Sequence, residues 1–398
     1  MSEQPPAPAG AAFIVQKAQQ RGIAAVELAT LDLSARPVAV TVPIGGLEAA
    51  LEDGLAVPHA LLDLRAGDEV VLAPDARTFN VATDIAGLAR VIADLQTPTG
   101  APSPWCARTV LKRQLGRANG LGYTYYIGAT VEHRWLDAPG EPRPLRPGAG
   151  AALARAAAVA LEASGVAVRA LHPVRGGDPS HWAFDLDWVD PLTLADSLVA
   201  HRRIVREVAR AHGHDVTFMP LPWVDGRRRS RLDLYVSLVE GGAPSYTDAL
   251  DPAGLTPAAR ALAEWLASEV PALELVFQST VNSYTLPELP RVVAGVTGRG
   301  EGGAAVHVRG PDSAANPYLT LALVIGVGLL AAQAPPPAHR PTPAATLRDA
   351  ARAAERATAV RDVLGAELLE RLVSRAHDES RAWREQVTPW EVARYLDR

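Results

Sequence analysis

The sequence predicts an α+β protein made of a small N-terminal domain and a larger α/β domain. Three observations carry this. The chain has 398 residues, enough for a large core and more than one domain. Short β-rich runs and helical stretches are interspersed along it. A Pro-, Gly-, Thr- and Ser-rich segment, Pro98 to Pro104, marks the boundary between the two parts. The expected division is a flexible Pro/Ala/Gly-rich tail over 1–12, a small domain over 13–97 and a larger one over 98–398.

Residues 13 to about 90 read as short strands and one helix. Ala24 to Leu28 and Val38 to Val42 are β-rich runs around a turn at Ser34 to Pro37. Leu47 to Glu52 is a short helix stopped by Gly54, and Glu69 to Ala73 is a strand halted by Pro74-Asp75. Beyond the boundary, Thr109 to Asn119 is a helix ended by Gly120 and Gly122, and Thr124 to Ile127 is a strand. Ala151 to Ser164 is an alanine-rich helix closed by Gly165. Strands follow at Val166 to His172 and His181 to Asp187. Asp190-Pro191 opens a helix through Arg210 that stops at Gly213. Arg231 to Val239 alternates, with Leu232, Leu234, Val236 and Leu238 on one face and Asp233, Tyr235 and Ser237 on the other, the pattern of a half-buried strand. Thr256-Pro257 opens a helix to about Ala267. Pro335 to Pro343 is a loop, and the remainder is mostly helix with solvated Arg/Glu faces.

Tyr318 to Ala334 is apolar and uncharged, close to the minimum length that spans a bilayer. Gly326 and Gly328 interrupt it, no basic cluster flanks it, and Asn316-Pro317 caps its start. It reads as a helix buried in a soluble core. The net charge of −5 gives no electrostatic case for nucleic-acid or membrane binding. The single cysteine, Cys106, excludes an intramolecular disulfide and fits a reducing, cytoplasmic setting. No base and orienting group are visible for Cys106 or Ser283, so nucleophilic catalysis is not expected.

Three stretches carry most of the functional information: Asn282-Ser283-Tyr284, Arg309-Gly310-Pro311-Asp312 through Asn316-Pro317-Tyr318-Leu319, and Val387-Thr388-Pro389-Trp390 through Tyr395. Leu121 to Gly128 and the run from Asp185 through Asp196 to Met219-Pro220 precede them. In this order they resemble the glutamine synthetase family, from about residue 20 to the C-terminus. The resemblance implies a β-grasp-like N-terminal domain, a catalytic α/β domain with an antiparallel sheet, and a homo-oligomer.

It also implies a chemistry. The family phosphorylates a γ-carboxylate with ATP and displaces phosphate with ammonia or an amine. Such phosphoryl transfer needs carboxylates to hold two divalent ions and arginines to pair with substrate oxygens. This chain departs from that set. The family's Glu-x-Glu falls on Thr130 and Glu132. The next acids fall on Pro173, after His172, and on Ala183. The His-x-His pair falls on Asp233 and Tyr235. The last metal glutamate falls on His307, two before Arg309, and an expected arginine falls on Leu286. Between Asn282 and Asn316 a hairpin with substrate arginines is missing. The Gly-rich substrate loop becomes Arg228-Arg229-Ser230-Arg231, and the Asp-Gly-Ser-Ser segment that reaches a neighbouring subunit is not recognisable around Val57 to Leu62.

The expectation is therefore a family member that has lost glutamate–ammonia ligase chemistry and works as a small-molecule-binding, regulatory or assembly protein without a cofactor. The alternative is an active γ-glutamyl–amine ligase using ATP with Mg²⁺ or Mn²⁺. Glu132, His172, His181, Asp233, His307 and Arg309 are expected to share a relic or repurposed pocket. Glu132 is expected to pair with a cation such as Arg134. A single metal on Glu132, Asp233 and His307 is the weaker reading beside a hydrogen-bonded polar pocket. Arg228, Arg229 and Arg231 are either a solvated run, along with Arg227, or a site for a small-molecule anion.

Overall fold

The computed structural model describes residues 11–82, 85–140, 142–223, 228–248, 250–251, 254–285, 293–300, 303–337 and 341–396. Among the described residues fourteen strands form two sheets. The first is built from β1 (Ala25–Leu31), β2 (Pro37–Pro43), β3 (Leu55–Val57), β4 (Val70–Pro74), β5 (Asn80–Val81) and β6 (Leu88–Gln96). Its order is β2-β1-β6-β4-β3, with β5 also on β6. Only β1 and β6 run parallel; the other pairs are antiparallel.

The second sheet contains β7 (Tyr123–Leu136), β8 (Val168–Pro173), β9 (His181–Val189), β10 (Asp215–Thr217), β11 (Leu232–Glu240), β12 (Ala243–Pro244), β13 (Val293–Gly300) and β14 (Gly303–Arg309). Its order is β13-β14-β11-β7-β9-β8, antiparallel throughout. β7 is much longer than the four residues expected. It continues because His133, Trp135 and the apolar Val131 bury one face while Glu132 and Arg134 bury the other.

The helices are α1 (Ala11–Gln20), α2 (Leu47–Glu52), α3 (Ala107–Gly120), α4 (Gly150–Ala163), α5 (Pro191–Ala211), α6 (Pro257–Ser268), α7 (Val270–Phe277), α8 (Pro317–Ala331), α9 (Leu347–Arg356), α10 (Thr358–Leu364), α11 (Ala366–Arg384) and α12 (Pro389–Tyr395). Helix α1 corrects two expectations, a tail reaching residue 12 and a single helix in the small domain. Ile14 and Ala18, four apart on one helical face, are buried in the small core. Residues 1–10 lie outside the described set.

The cap–proline pairs act as their chemistry requires. Asp190 Oδ1 accepts from the Leu192 and Thr193 amides, Thr256 Oγ1 from Ala259, and Asn316 Oδ1 from Tyr318 and Leu319. In α8 every residue from Pro317 to Leu329 is buried. Among the described residues no helix is long and apolar enough to cross a membrane.

Period-2 alternation gives the second sheet two unlike faces. Ile127, Ala129, Val131, Phe184, Leu186, Leu232, Leu234, Val236, Val306 and Val308 join the core beneath the helices. The opposite face carries Thr130, Glu132, Asp185, Asp233, Tyr235 and His307. The two domains are tied by Arg108 on α3, which is buried and bonds Asp75 and Asp94 of the small domain and Asp196 on α5. Arg371 and Arg375 on α11 reach Asp68 and Asp63.

Candidate functional site

The site lies on the polar face of the second sheet, and its residues fall into cross-strand rows fixed by the register. One row holds Asp233, Thr130 and Asp185, paired directly across β11, β7 and β9. The next row toward the end of β7 holds Glu132, opposite Ala183, which pairs with His172 on β8. The row on the other side holds Tyr235, paired with Gly128 and His307. A register shift between Ile127 and Ala129 lets β9 turn Trp188 onto this face. Gly128 makes room for it: a Cβ there would lie 3.0 Å from the Trp188 ring.

The Arg228 to Arg231 segment is held in place by hydrogen bonds, with the Arg228 and Arg231 side chains partly exposed. The Ser230 amide donates to Pro220 O at 2.8 Å, and Ser230 Oγ accepts from Arg134 at 2.8 Å. The Arg231 carbonyl accepts from the Glu132 amide at 2.9 Å and from Ser313 Oγ at 2.9 Å. The buried Arg229 guanidinium donates to Ser283 O. Asn282 clamps Leu221 through two bonds of 2.9 Å. The recognisable Asn-Ser-Tyr and Arg309–Asn316 motifs thus serve here to fix the arginine segment. Arg227 and Leu286 lie outside the described residues.

Glu132 is the centre of the charge balance. Its Oε1 lies 3.2 Å from Arg228 Nη2 and 3.7 Å from Arg231 Nη2. Its Oε2 lies 3.2 Å from His181 Nε2 and accepts the Arg231 amide at 3.2 Å. Burial pushes this carboxyl up, but His181, Arg231 and Arg228 more than reverse that, leaving it below the usual glutamate range. Burial holds His181 below its ordinary value, against the opposing pull of its hydrogen bond to Glu132. Arg134 is not the partner of Glu132; it reaches past it to Asp178 at 3.1 Å, which also accepts from Trp223 Nε1 at 3.1 Å. Adjacent strand residues two apart share a face, but the ion pair goes to whichever charge the loops deliver.

Asp233 Oδ2 lies 3.6 Å from both Arg231 Nη2 and His307 Nε2. Asp185, which the sequence reading left without a role, accepts from Thr130 Oγ1 at 2.5 Å and lies 3.6 Å from the exposed His172. Burial pushes the Tyr235 phenol up, against a hydrogen bond with Thr130. Arg309, at the end of β14, is exposed. His181 Nδ1, Arg228 Nε, Arg231 Nε, Asp233 Oδ1 and His307 Nε2 are buried with no hydrogen-bond partner. Ser230 Oγ lies 3.3 Å from His181 Nε2, the same nitrogen that faces Glu132, so the three cannot work as a nucleophile relay.

These side chains do not fit a pair of divalent ions. A hard dication takes several oxygen ligands. Glu132 is instead surrounded by two guanidinium groups and an imidazole, Thr130 and Ala183 flank it, and Pro173 has no donor side chain. Among the described residues no group of three or more His, Cys, Asp or Glu side chains could hold a metal ion.

Residues 143–296 and 289–395 match the sequence model of the glutamine synthetase catalytic domain, together more than half of the chain. The chain belongs to the glutamine synthetase family. It is 28% identical over 442 residues to glutamine synthetase of Mycolicibacterium smegmatis, with 96% of this chain and 98% of that protein covered. It is 30% identical over 409 residues to gamma-glutamylpolyamine synthetase GlnA3 of Streptomyces coelicolor, with 89% and 87% covered. The fold is that of the solved structure of apo GmaS without ligand, at a TM-score of 0.87 and 22% identity over 96% of this chain and 99% of that one. The named relatives of this glutamine synthetase family chain are ligases. None of the comparisons speaks for a loss of activity.

Proposed function

We propose that this glutamine synthetase family protein binds a small anion through Arg228 and Arg231 in place of a metal-bridged phosphate site. In this reading it acts as a binding, regulatory or assembly protein. The observation that carries it is the occupancy of Glu132. Both oxygens of this one carboxylate retained from Glu-x-Glu are taken by Arg228, Arg231 and His181. Two guanidinium groups facing one carboxylate leave cationic hydrogen-bonding capacity for an incoming anion. The segment that carries them is pre-ordered by Ser230 and Asn282 contacts. The test is calorimetric titration with short alkanoates, inorganic phosphate and sulfate in EDTA. Binding that disappears in a combined Arg228→Ala, Arg231→Ala variant is expected. Binding that needs Mg²⁺ or Mn²⁺ overturns the reading.

A second reading is an active ATP-dependent γ-glutamyl–amine ligase. The comparisons favour it: similarity runs over nearly the full length of glutamine synthetases and of a gamma-glutamylpolyamine synthetase. It requires the dications to be held by Asp185, Asp233 and Glu132 after Arg228 and Arg231 move away. Steady ATP hydrolysis dependent on glutamate, an amine and a divalent ion selects this second reading. We propose a homo-oligomer under either one.

A further inference from the structure

We propose that the cleft between the small domain and helix α5 is a binding site for a small phosphate monoester, separate from the polar face of the second sheet. A cavity of about 330 Å³ lies there, walled by Arg77, Phe79 and Ile92 of the small domain and by Val166, Ser197 and Arg203 of the larger one. Thr193, Ser197, Ala200 and Arg203 follow one another at intervals of three or four residues, so they share one face of α5. Ala29 on β1 and Ala200 on α5 are small and leave room in the cavity they line.

The open polar groups of this cavity are donors. Arg77 gives Nε and Nη2 to Asp75, at 2.9 and 3.0 Å. Arg203 gives Nη1 to the two oxygens of Glu207, at 3.0 and 2.8 Å. Among the described residues, Arg77 Nη1, Arg203 Nε and Nη2 and the hydroxyls of Thr193 and Ser197 have no hydrogen-bond partner. The acceptors are elsewhere. Asp75 pairs with Arg77, Glu27 with Arg90, and Glu207 with Arg90 and Arg203, and none of these three carboxylates lines the cavity. Asp196 does, but its Oδ1 accepts from Arg108 and the Tyr318 hydroxyl and its Oδ2 from Arg108. The wall therefore shows the guanidinium groups of Arg77, Arg90 and Arg203 against one carboxylate that is already engaged.

Donors without acceptors call for an oxyanion. A carboxylate offers two oxygens, which one guanidinium fork satisfies. Here the donors come from both domains, Arg77 on one side and Arg203 with Ser197 on the other. A phosphoryl group with three terminal oxygens matches that arrangement. Phe79, Ile92 and Val166 supply an apolar wall for the organic part of the ester. Arg77 and Arg203 are already held by their carboxylate partners, which lowers the ordering cost of binding.

The experiment is calorimetric titration in EDTA, with a parallel melting measurement, of the full chain carrying Arg228→Ala and Arg231→Ala, which removes the other anion site. The ligands are phenyl phosphate, glycerol 3-phosphate, inorganic phosphate and benzoate. At least one monoester is expected to bind about tenfold or more tightly than inorganic phosphate or benzoate, and to raise the melting temperature. Adding Arg203→Ala should weaken that binding about tenfold or more. Ser197→Val, which keeps every charge pair, should weaken it too and guards against a folding defect at Arg203. Inorganic phosphate or benzoate binding as tightly as the best monoester overturns the inference, and so does monoester binding that Arg203→Ala and Ser197→Val leave unchanged. Monoester binding to the unsubstituted chain that is absent from the Arg228→Ala, Arg231→Ala background belongs to the first anion site; it overturns this inference and leaves that reading standing. Monoester binding kept in that background and lost with Arg203→Ala supports the interdomain site, whatever becomes of the first. No monoester binding to either chain overturns the interdomain site.

Discussion

Gly128 shows how a single residue shapes the site. Its missing side chain lets the Trp188 indole lie against β7, where a Cβ would come within 3.0 Å of the ring. Gly128→Ala should therefore cost about 1–3 kcal/mol through overpacking, read by urea denaturation, and should quench or shift Trp188 fluorescence as the ring is displaced. Unchanged stability would mean that the indole moves freely. Two other buried residues set a pH response. His133 and His201 are fully buried with ring centroids 5.5 Å apart, caged by Trp135, Phe184 and Phe218, and none of their ring nitrogens has a partner. Burial, with the nearby His201 and His181, holds His133 well below its ordinary value. Burial and Arg202 push His201 down to about 3. Folded pKa values below the unfolded one mean that the unfolded chain takes up the protons. The stability these groups confer is full above about pH 6.5 and is lost progressively as pH falls toward about 3. His201→Phe should flatten the stability–pH curve between those limits, and an unchanged slope would remove His201 from the account. At this scale the alternation of residues 231–239 made the strand face of Asp233 and Tyr235 readable, whereas Glu132 and His307 were placed beside them only by the family resemblance. The sequence was not readable for partners. Arg228 reaches Glu132 from 96 residues away, and Trp188 reaches the site through a local register shift that no alternation pattern shows.

Helix α8 shows what an element of this fold requires. Its cap, Asn316-Pro317, was legible because capping is local chemistry. Its two glycines looked like interruptions of an apolar run, yet they are contact points. At Gly326 a Cβ would meet Val363 Cγ2 of α10 at 2.2 Å, and at Gly328 the Tyr125 hydroxyl at 2.8 Å. Alanine in a helix is ordinarily about 1 kcal/mol better than glycine. Here the clash should win, and Gly326→Ala is expected to lose about 1–3 kcal/mol net, measured by chemical denaturation. A stabilised variant would contradict the packing of α8 on α10. Helix α1 and the extension of β7 to Leu136 were missed for one reason. Both are decided by what covers them, Ile14 and Ala18 by the small core and His133 and Trp135 by the aromatic cage.

At the scale of the molecule, the order of motifs made the mixed helix-and-sheet fold and the family legible, because a fold outlasts extensive change of sequence. The activity was not legible in the same way, since it depends on a few side chains and on where charges settle. Assembly is a proposal of this scale. Trp390 and Tyr395 on α12 are 62% and 47% exposed and pack edge-on against each other. Such a pair, with Val392 and Leu396 also exposed, is expected to be covered by another copy of the chain. Light scattering at micromolar concentration should give a mass above the 42.0 kDa of one chain, and Trp390→Ala with Tyr395→Ala should lower it. A strict monomer would refute the assembly.

The central claim is that guanidinium groups have taken over from divalent ions on the polar face of the second sheet. The most direct measurement is ATP hydrolysis by the purified chain with glutamate and a panel of amines, with and without Mg²⁺ or Mn²⁺. The account predicts no metal-dependent turnover, and binding of small carboxylates that is unaffected by EDTA. Sustained Mg²⁺- or Mn²⁺-dependent turnover that is lost in Glu132→Gln would contradict it and establish the ligase instead.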